Sequence, residues 1–238
     1  NDCRGHSIVH NYTYKPDFEF KKMVYENTLY LGVELEVESK KDSANDLAHV
    51  FLEFLKKEKI DDRYYFKQDG SINNGFEVVT HPFTIVYAHH HLKFQKIIKW
   101  LEKRKFMSYE TGACGLHIHL DRDFFNELDI TKLRLFFSAN REHLYKFSKR
   151  EGKNDSYCEY ESYNIKNFIR NKELNGRYWA LNLNSSCNTI ELRLFRGTLR
   201  YSRFIATLQF ADAISNFVKV NGLTSFIEGE HEYKKNSW

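Results

Sequence analysis

Three stretches of the chain alternate strictly between apolar and polar residues, with a period of two. Residues 32–37 read GVELEV, residues 114–121 read CGLHIHLD and residues 189–194 read TIELRL. Residues 75–82, GFEVVTHP, add a fourth stretch in which a single Glu lies between two apolar residues. A period of two is typical of a β-strand that buries one face and turns the other away from the core. The pattern therefore predicts four strands, each with a distinct polar face.

The polar faces of these strands carry acids and imidazoles instead of the usual Thr, Ser, Lys and Gln. The residues concerned are Glu34, Glu36, Glu77, His117, His119, Glu191 and Arg193. Neighbouring carboxylates on one face repel, so without a cation one of them is expected to hold its proton. Hard divalent ions bind carboxylate oxygens, imidazole can complete such a site, and an arginine beside it suits a phosphate. The pattern favours a divalent-metal site; the alternative is a set of solvated faces on an antiparallel sheet.

The other periodic segments predict an α+β fold. The expected strands are Leu29–Glu38, Tyr64–Gln68, Ile72–Thr80, Cys114–Asp121, Arg177–Asn184 and Thr189–Phe195, and the expected helices are Asp42–Lys59, Val86–Phe106, Ile130–Ser148 and Tyr201–Val218. Hairpins over 64–80 and 177–196 make the sheet mostly antiparallel, with helices covering one face. We expect a curved sheet with a site on its open, concave face.

Composition indicates one folded domain. The chain has 238 residues, of which 42% are hydrophobic and 16% aromatic, and two prolines. We expect an extended N-terminal arm over 1–26, a catalytic domain over 27–226 and a polar tail over 227–238. The net charge of +4 does not by itself indicate a nucleic-acid partner, and no apolar run reaches membrane-spanning length or resembles a signal peptide. The four widely spaced cysteines are typical of a reduced, cytoplasmic protein.

Several segments have two interpretations. Cys3, His6 and His10 are either part of a zinc site or a polar terminus, since structural zinc needs four ligands. Asp69 begins an Asp-Gly-Ser turn. Its side chain either only shapes that turn or also contacts a nucleotide or amine. The segment 150–175 is long for a loop and is either a lid or a surface insertion.

The order of the motifs resembles the catalytic domain of glutamine synthetase-like carboxylate–amine ligases. GVELEV, DGSI with GFEVVTHP, CGLHIHLD, and RYWALNLN with TIELRLFRGT are most similar to the phage and bacterial amidoligase family, over about Tyr30 to Phe217. The resemblance implies a half-barrel sheet, ATP, two Mg²⁺ ions with Mn²⁺ as an alternative, and a bacterial or phage-infected cell. It also implies a carboxylate substrate and an amine acceptor, which form an amide through an acyl phosphate.

The resemblance also implies a role for each polar residue. Glu36 and Glu77 would hold one ion, and Glu34, His117 and Glu191 would hold the ion nearer the nucleotide. His119 would reach phosphate or nucleotide, with Asp69 and Arg196 as further candidates for nucleotide contact. Arg193 and Arg177 would bind the transferring phosphoryl group and the substrate carboxylate, although Arg193 can instead be a structural partner of a neighbouring Glu.

Two other functions fit parts of the pattern. The same acids and imidazoles would suit a two-metal phosphoesterase or nuclease, which would act on phosphodiesters without ATP. A sheet with many aromatic residues and a mild positive charge would suit a non-catalytic module that binds nucleic acid or protein. The first is disfavoured by the scarcity of Asp on the polar faces, and the second by the lack of interleaved basic and aromatic residues. Oligomeric state is not predictable from the chain.

Overall fold

A seven-stranded mixed sheet organises the fold. The computed structural model describes residues 8–23, 28–40, 43–108, 112, 114–150, 158–162 and 176–227. The strands are β1 Val9–His10, β2 Leu31–Glu38, β3 Tyr64–Lys67, β4 Gly75–Thr80, β5 Gly115–Asp121, β6 Leu181–Asn182 and β7 Thr189–Arg196. Their order across the open sheet is β1-β3-β4-β2-β5-β7-β6. Neighbouring strands are antiparallel except β1 and β3, which are parallel.

Seven α-helices accompany the sheet in the described part of the chain. They are α1 Ala44–Glu58, α2 Ile85–His91, α3 Phe94–Lys103, α4 Glu127–Ala139, α5 Arg141–Ser148, α6 Tyr201–Val220 and α7 Thr224–Ile227. Two short 3-10 turns cover Asp61–Arg63 and Arg122–Phe124. In this set, not one helix combines the length and the apolar character that crossing a membrane would require.

The apolar face of the sheet packs against the helices. Phe51 of α1 lies 5.5 Å from Phe66 of β3, measured between ring centroids. Phe195 of β7 lies 6.0 Å from Phe210 of α6. Burying these side chains removes apolar surface from water, which is the main favourable term in folding. The predicted α+β class and the mostly antiparallel sheet with helical backing are confirmed.

Two predicted helices are each divided in two. Val86–Phe106 breaks at Lys93, whose φ of 51° lies in the left-handed region. The break lets Leu92 and Phe94 both enter the core, and the Lys93 ammonium binds the Glu58 carbonyl oxygen at the end of α1. Ile130–Ser148 breaks at Asn140, whose side-chain amide donates to the carbonyl of Phe136 and closes the end of α4. The single-helix prediction was wrong in both places: a long-range contact with Glu58 stabilises the break at Lys93, and a local side-chain cap ends α4 at Asn140.

Two predicted strands are shorter than expected. The segment Ile72–Thr80 becomes a strand only at Gly75, because Asn74 caps α1 through the backbone N–H of Ala44 and also pairs with Ser39. In Arg177–Asn184 only Leu181–Asn182 is a strand. The backbone of residues 178–180 instead pairs with Glu159. Competing hydrogen bonds from distant segments therefore set both boundaries.

The N-terminal arm contributes to the sheet, which the sequence did not predict. Val9 and His10 form edge strand β1 beside β3, and the His10 ring stacks on Tyr14 at 3.6 Å. Farther along, the backbone of Lys21 pairs with Pro82 and Thr84. Cys3 and His6, the other two residues of the predicted zinc segment, lie outside the described residues.

Most of the predicted lid, 150–175, also lies outside the described residues. Its first residue, Arg150, donates to the carbonyls of Arg193, Leu194 and Phe195 on β7. Residues 158–162 are tied to α4 by an ion pair in which Arg134 donates to Glu161 at 2.6 Å. These described parts are therefore anchored to the fold. The polar tail from residue 228 onward is likewise outside the described part of the chain.

Candidate metal centre

Strand register brings the predicted polar residues together. Glu34 of β2 lies opposite His117 of β5, and Glu36 lies opposite Glu77 of β4. His119 lies opposite Glu191 of β7. Because side chains alternate along each strand, these residues share the face of the sheet opposite to its apolar core face. Their convergence follows from pairing between strands that are far apart in sequence.

The first ligand cluster consists of Glu34, His119 and Glu191. Each offers a ligand atom, and these atoms all lie within 4.8 Å of one another. The Nδ1 atom of His119 is 2.8 Å from the Thr189 hydroxyl, while its Nε2 faces Glu34 at 3.5 Å. A metal-binding imidazole normally uses one nitrogen for the ion and fixes the other by a hydrogen bond. His119 is arranged in that way, which makes it a candidate ligand as well as a candidate phosphate contact.

The second ligand cluster consists of Glu36, Asp69 and Glu77, again with ligand atoms within 4.8 Å of one another. Asp69 does shape its turn, because its carboxylate accepts from the Ser71 backbone N–H at 2.7 Å. The turn also carries that carboxylate to the acids of β2 and β4. The two interpretations of Asp69 are therefore compatible, and the hairpin supplies two acids where the sequence indicated one.

His117 lies between the two ligand clusters. Its Nδ1 atom is 3.7 Å from Glu34, 3.8 Å from Glu36 and 3.5 Å from Glu191, each measured to the nearest carboxylate oxygen. These distances are long for hydrogen bonds. Two ligands that are each about 2.1 Å from one Mg²⁺ ion are roughly 3.0 Å apart at a right angle and 4.2 Å apart when opposite. The spacing around His117 therefore suits an ion better than direct hydrogen bonding.

Buried polar atoms at this face lack hydrogen-bond partners. Among the described residues, His117 Nδ1, His119 Nε2 and Glu77 Oε2 are buried without one. A buried polar atom without a hydrogen-bond partner lowers the stability of the fold unless a bound group or ion interacts with it. A divalent cation would accept lone pairs from all of these atom types. The described residues therefore fit a metal ion, and the two ligand clusters can each hold one.

Lys67 is the charged residue that sequence reasoning missed. It lies opposite Glu77 in the β3–β4 register, with its Nζ atom 3.5 Å from Glu34 and 3.4 Å from Glu77. Burial raises the pKa of Glu34, but the nearby charges and polar groups of His119, His117 and Lys67 outweigh it and hold that pKa well below its usual range. Glu34 is thus a stably ionised acid of the metal-free site.

Glu36 and Glu77 behave in the opposite way. Burial raises the pKa of Glu36, against the opposing effects of His117 and the backbone N–H of Gly115. Burial and the negative charge of Glu34 together raise the pKa of Glu77 to about 9. One of these acids was expected to hold its proton in the absence of a cation, and that acid is mainly Glu77.

Glu77→Gln is expected to stabilise the metal-free protein, increasingly so as pH rises from about 4.5 to 9. In this window the folded protein keeps the Glu77 proton and the unfolded chain loses it, so the free energy of unfolding falls with rising pH. Glutamine removes that dependence, with an effect on the order of 1–3 kcal/mol at the alkaline end. Denaturant melts of both proteins across the window, without divalent ions, measure it. Parallel curves for parent and variant would contradict the assignment.

Arg193 and Asn182 hold Glu191 from two sides. Arg193 donates to one carboxylate oxygen of Glu191 at 2.6 Å, and Asn182 donates to the other at 2.7 Å. Burial raises the pKa of Glu191, but His117, His119 and Arg193 lower it further than burial raises it. The Arg193 Nε atom is buried without a hydrogen-bond partner in the described part of the chain, so this guanidinium has a donor to spare. Asn182 was not singled out from the sequence.

Two other predicted arginines are anchored outside the ligand clusters. Arg177 is exposed, and its guanidinium lies over the Tyr178 ring, 5.1 Å from the centroid. Arg196 donates to the carbonyl of Lys149 at the end of α5, at 3.4 Å. The structure brings Arg193 to the metal centre but does not bring these two into it.

A cavity of about 280 Å³ adjoins the first ligand cluster. Its apolar wall comes from the N-terminal arm and strands β2 to β4, and consists chiefly of Phe18, Phe20, Tyr30, Tyr65, Val79 and Pro82. Its polar lining includes Glu34, His119, Asp121, Asp123, Asn188 and Thr189. Small-ligand sites are of this kind, mostly apolar with a few placed polar groups. The sequence predicted an arm laid on the domain but not its part in a cavity.

No disulfide joins the three described cysteines, which are Cys114, Cys158 and Cys187. Cys187 also lies at the cavity wall.

The chain matches no protein-family model, no curated protein and no solved structure. What the protein does must therefore be inferred from the chemistry of this face of the sheet.

Proposed function

We propose that the protein is an ATP- and Mg²⁺-dependent carboxylate–amine ligase that forms an amide bond through an acyl phosphate. The observation that carries the proposal is the convergence of five carboxylates and two imidazoles into adjoining clusters on one sheet face. Arg193 lies beside them with a spare donor. The resemblance to amidoligases assigns the four glutamates and His117 to two ions and His119 to phosphate or nucleotide, and Asp69 adds a fifth acid. We also propose that the sheet is curved into the half-barrel that the resemblance to these ligases implies.

The proposed reaction has two steps. A carboxylate oxygen of the substrate attacks the terminal phosphorus of ATP, the bond to the bridging oxygen breaks, and ADP leaves. An amine nitrogen then attacks the acyl carbon, the bond from that carbon to the phosphate oxygen breaks, and phosphate leaves as the amine gives up a proton. Bound Mg²⁺ would neutralise charge on the transferring phosphoryl oxygens. Arg193 would bind those oxygens through its planar fork.

The cavity supports the ATP half of the proposal. It combines aromatic walls with polar groups, and Glu34 and His119 form part of its lining. A nucleobase stacks on aromatic side chains, and its sugar and phosphates would then extend toward the ligand clusters. The carboxylate substrate is expected to be an amino acid, a peptide or a protein side chain.

The deciding experiment is an acceptor-dependent assay. The protein is incubated with ATP, Mg²⁺ and pooled amino acids or peptides, and ADP, phosphate and new amide products are measured. A ligase releases phosphate in proportion to the amide formed. Phosphate release stops when the amine is omitted. Added hydroxylamine restores phosphate release, because it attacks the acyl phosphate in place of the amine and forms a hydroxamate. Hydrolysis of a phosphodiester without ATP would instead support the two-metal phosphoesterase. Binding of nucleic acid or protein without either activity would support the non-catalytic module.

Phe20→Ala tests the place of the nucleotide. Phe20 is 56% exposed and contacts Tyr30 edge-to-face at 4.9 Å, so its truncation should change stability little. Loss of one stacking surface is expected to weaken ATP binding by roughly tenfold while leaving the affinity for Mg²⁺ alone unchanged. Isothermal titration measures both. Tyr12→Ala is the control, since Tyr12 is an exposed aromatic residue of the same arm; equal losses in both variants would exclude this place for the base.

A further inference from the structure

Lys67 occupies an unusual position for a lysine. Its side chain is only 15% exposed, and its ammonium contacts one acid from each ligand cluster, Glu34 of the first and Glu77 of the second. Both contacts, at 3.4–3.5 Å, stop short of close hydrogen bonds. A positive charge thus lies at the junction of the two places where the acids can bind a divalent ion.

We propose that Lys67 is an exchangeable internal cation. In the metal-free protein its ammonium pairs with Glu34 and lies beside Glu77; when divalent ions bind those acids the ammonium leaves them and binds an oxygen of a phosphoryl group. The second half of this inference rests on the proposed function. The first half concerns metal binding alone and holds for any reaction at this site.

Electrostatics favours the exchange. Glu34 belongs to the first ligand cluster and Glu77 to the second, and the Lys67 ammonium lies 3.5 Å from Glu34 and 3.4 Å from Glu77. A divalent ion on Glu34 or Glu77 would lie a few ångströms from the ammonium, in a buried setting where like charges repel strongly. Lysine has a flexible four-carbon stem and can move its charge without moving the backbone.

The direction of that movement follows from the strand. Tyr65, two residues before Lys67 on β3, lies at the wall of the cavity, and side chains two apart share a face. The stem of Lys67 can therefore swing along the sheet toward the cavity mouth. Arg193 binds a different acid of the first ligand cluster, Glu191, from β7 on the far side of β5. The two cations would bracket an anion held over the face.

The charge balance also favours an anionic ligand. Glu34, Glu36, Asp69, Glu77 and Glu191 carry five negative charges when all are ionised. Two divalent ions together with Lys67 and Arg193 carry six positive charges. A fully loaded site therefore has an excess of positive charge, which suits a phosphoryl group that carries several negative oxygens.

The test uses Lys67→Met, which keeps the stem and removes the charge. Its affinity for Mg²⁺ without nucleotide, measured by isothermal titration, is expected to be roughly tenfold tighter than that of the parent, because a competing cation is gone. Its affinity for ATP in saturating Mg²⁺ is expected to be roughly tenfold weaker, because the phosphoryl contact is gone. A residue that only supports the fold would weaken both affinities together.

Two further variants make the result decisive. Lys67→Arg keeps the charge and should retain the parent's Mg²⁺ affinity within about twofold. Lys96→Met removes a lysine that pairs with Glu58 on the surface, at 2.7 Å, and controls for the change in net charge. Should Lys67→Met not fold without metal, Lys67→Gln replaces it in the same titrations.

The outcomes separate this inference from the proposed function. Mg²⁺ binding that is unchanged or weaker in Lys67→Met overturns the exchange. Tighter Mg²⁺ binding with an unchanged ATP affinity keeps the exchange and overturns the phosphoryl contact. If parent and variant differ in Mg²⁺ affinity as expected but neither binds ATP, the exchange stands and the ligase proposal fails.

Discussion

Glu34→Gln is expected to lose Mg²⁺ binding at the first ligand cluster and, with it, ATP-dependent amide formation. Glu34 belongs to the first ligand cluster and also lies 3.7 Å from His117 at the junction of the two. Glutamine keeps the shape of the side chain but has one neutral acceptor oxygen in place of an anionic carboxylate. We expect Mg²⁺ affinity to fall by at least about a hundredfold, because loss of a residue that merely supports a metal ligand already costs about 10–100-fold. Titration with Mg²⁺ and the acceptor-dependent phosphate assay measure the two losses.

The metal-free stability of Glu34→Gln gives a second readout. The low pKa of Glu34 in the folded protein means that its ionised form is stabilised by His119, His117 and Lys67. That contribution is fully present above about pH 4.5 and is lost as pH falls through the folded pKa. The variant should therefore be less stable than the parent at neutral pH, and the difference should shrink in acid.

A matched control separates the site from general charge effects. Glu58 pairs with Lys93 and Lys96 away from the ligand clusters. Glu58→Gln is therefore expected to leave Mg²⁺ affinity and turnover at parental values. If Glu34→Gln keeps the parent's thermal shift with Mg²⁺ and ATP, Glu34 is not a metal ligand and the binding-module interpretation gains support.

Arg193→Lys is expected to keep Mg²⁺ binding but to lose turnover by roughly a hundredfold to a thousandfold, the usual effect of removing one donor that stabilises transition-state charge. A lysine can still neutralise Glu191, from which Arg193 Nη1 is 2.6 Å away. It cannot at the same time offer a second, coplanar donor to a phosphoryl oxygen. Titration with Mg²⁺ and single-turnover phosphate release together distinguish the two functions of this guanidinium.

Arg134→Lys is the comparison for Arg193→Lys. Arg134 forms a two-point contact with Glu161, through Nε at 3.0 Å and Nη2 at 2.6 Å. Its replacement should lower stability without lowering the turnover of the folded protein. Were Arg193→Lys to lose only stability as well, Arg193 would be a structural partner of Glu191, which is the alternative that the sequence left open.

The structure also changes the expected distribution of charge among the acids. Sequence reasoning placed the main repulsion between Glu34 and Glu36, since they share one face of a strand. In the fold, Glu34 is surrounded by imidazoles and Lys67, whereas Glu77 is buried beside the charge of Glu34. Relief of repulsion is therefore expected from Glu77→Gln, and Glu34→Gln should have the opposite effect on the metal-free protein.

The sequence by itself determined which face each polar residue occupies. Alternation along GVELEV and CGLHIHLD places Glu34 with Glu36 and His117 with His119, whatever the neighbouring strands are, because the side-chain period of a strand is two. It also identified Glu77, Glu191 and Arg193 and the α+β class. These features are local, or depend on patterns that repeat within one element.

Only the tertiary structure decided which residues meet. The pairing of β3 with β4 puts Lys67 opposite Glu77, and a shift of one residue would turn it to the other face. The turn after β3 carries Asp69 to acids on two other strands, and Asn182 reaches Glu191 from a strand of two residues. The arm that carries Phe20 closes a cavity against strands that follow it in the chain. Strand register and long-range packing involve residues far apart in sequence, so no local period encodes them.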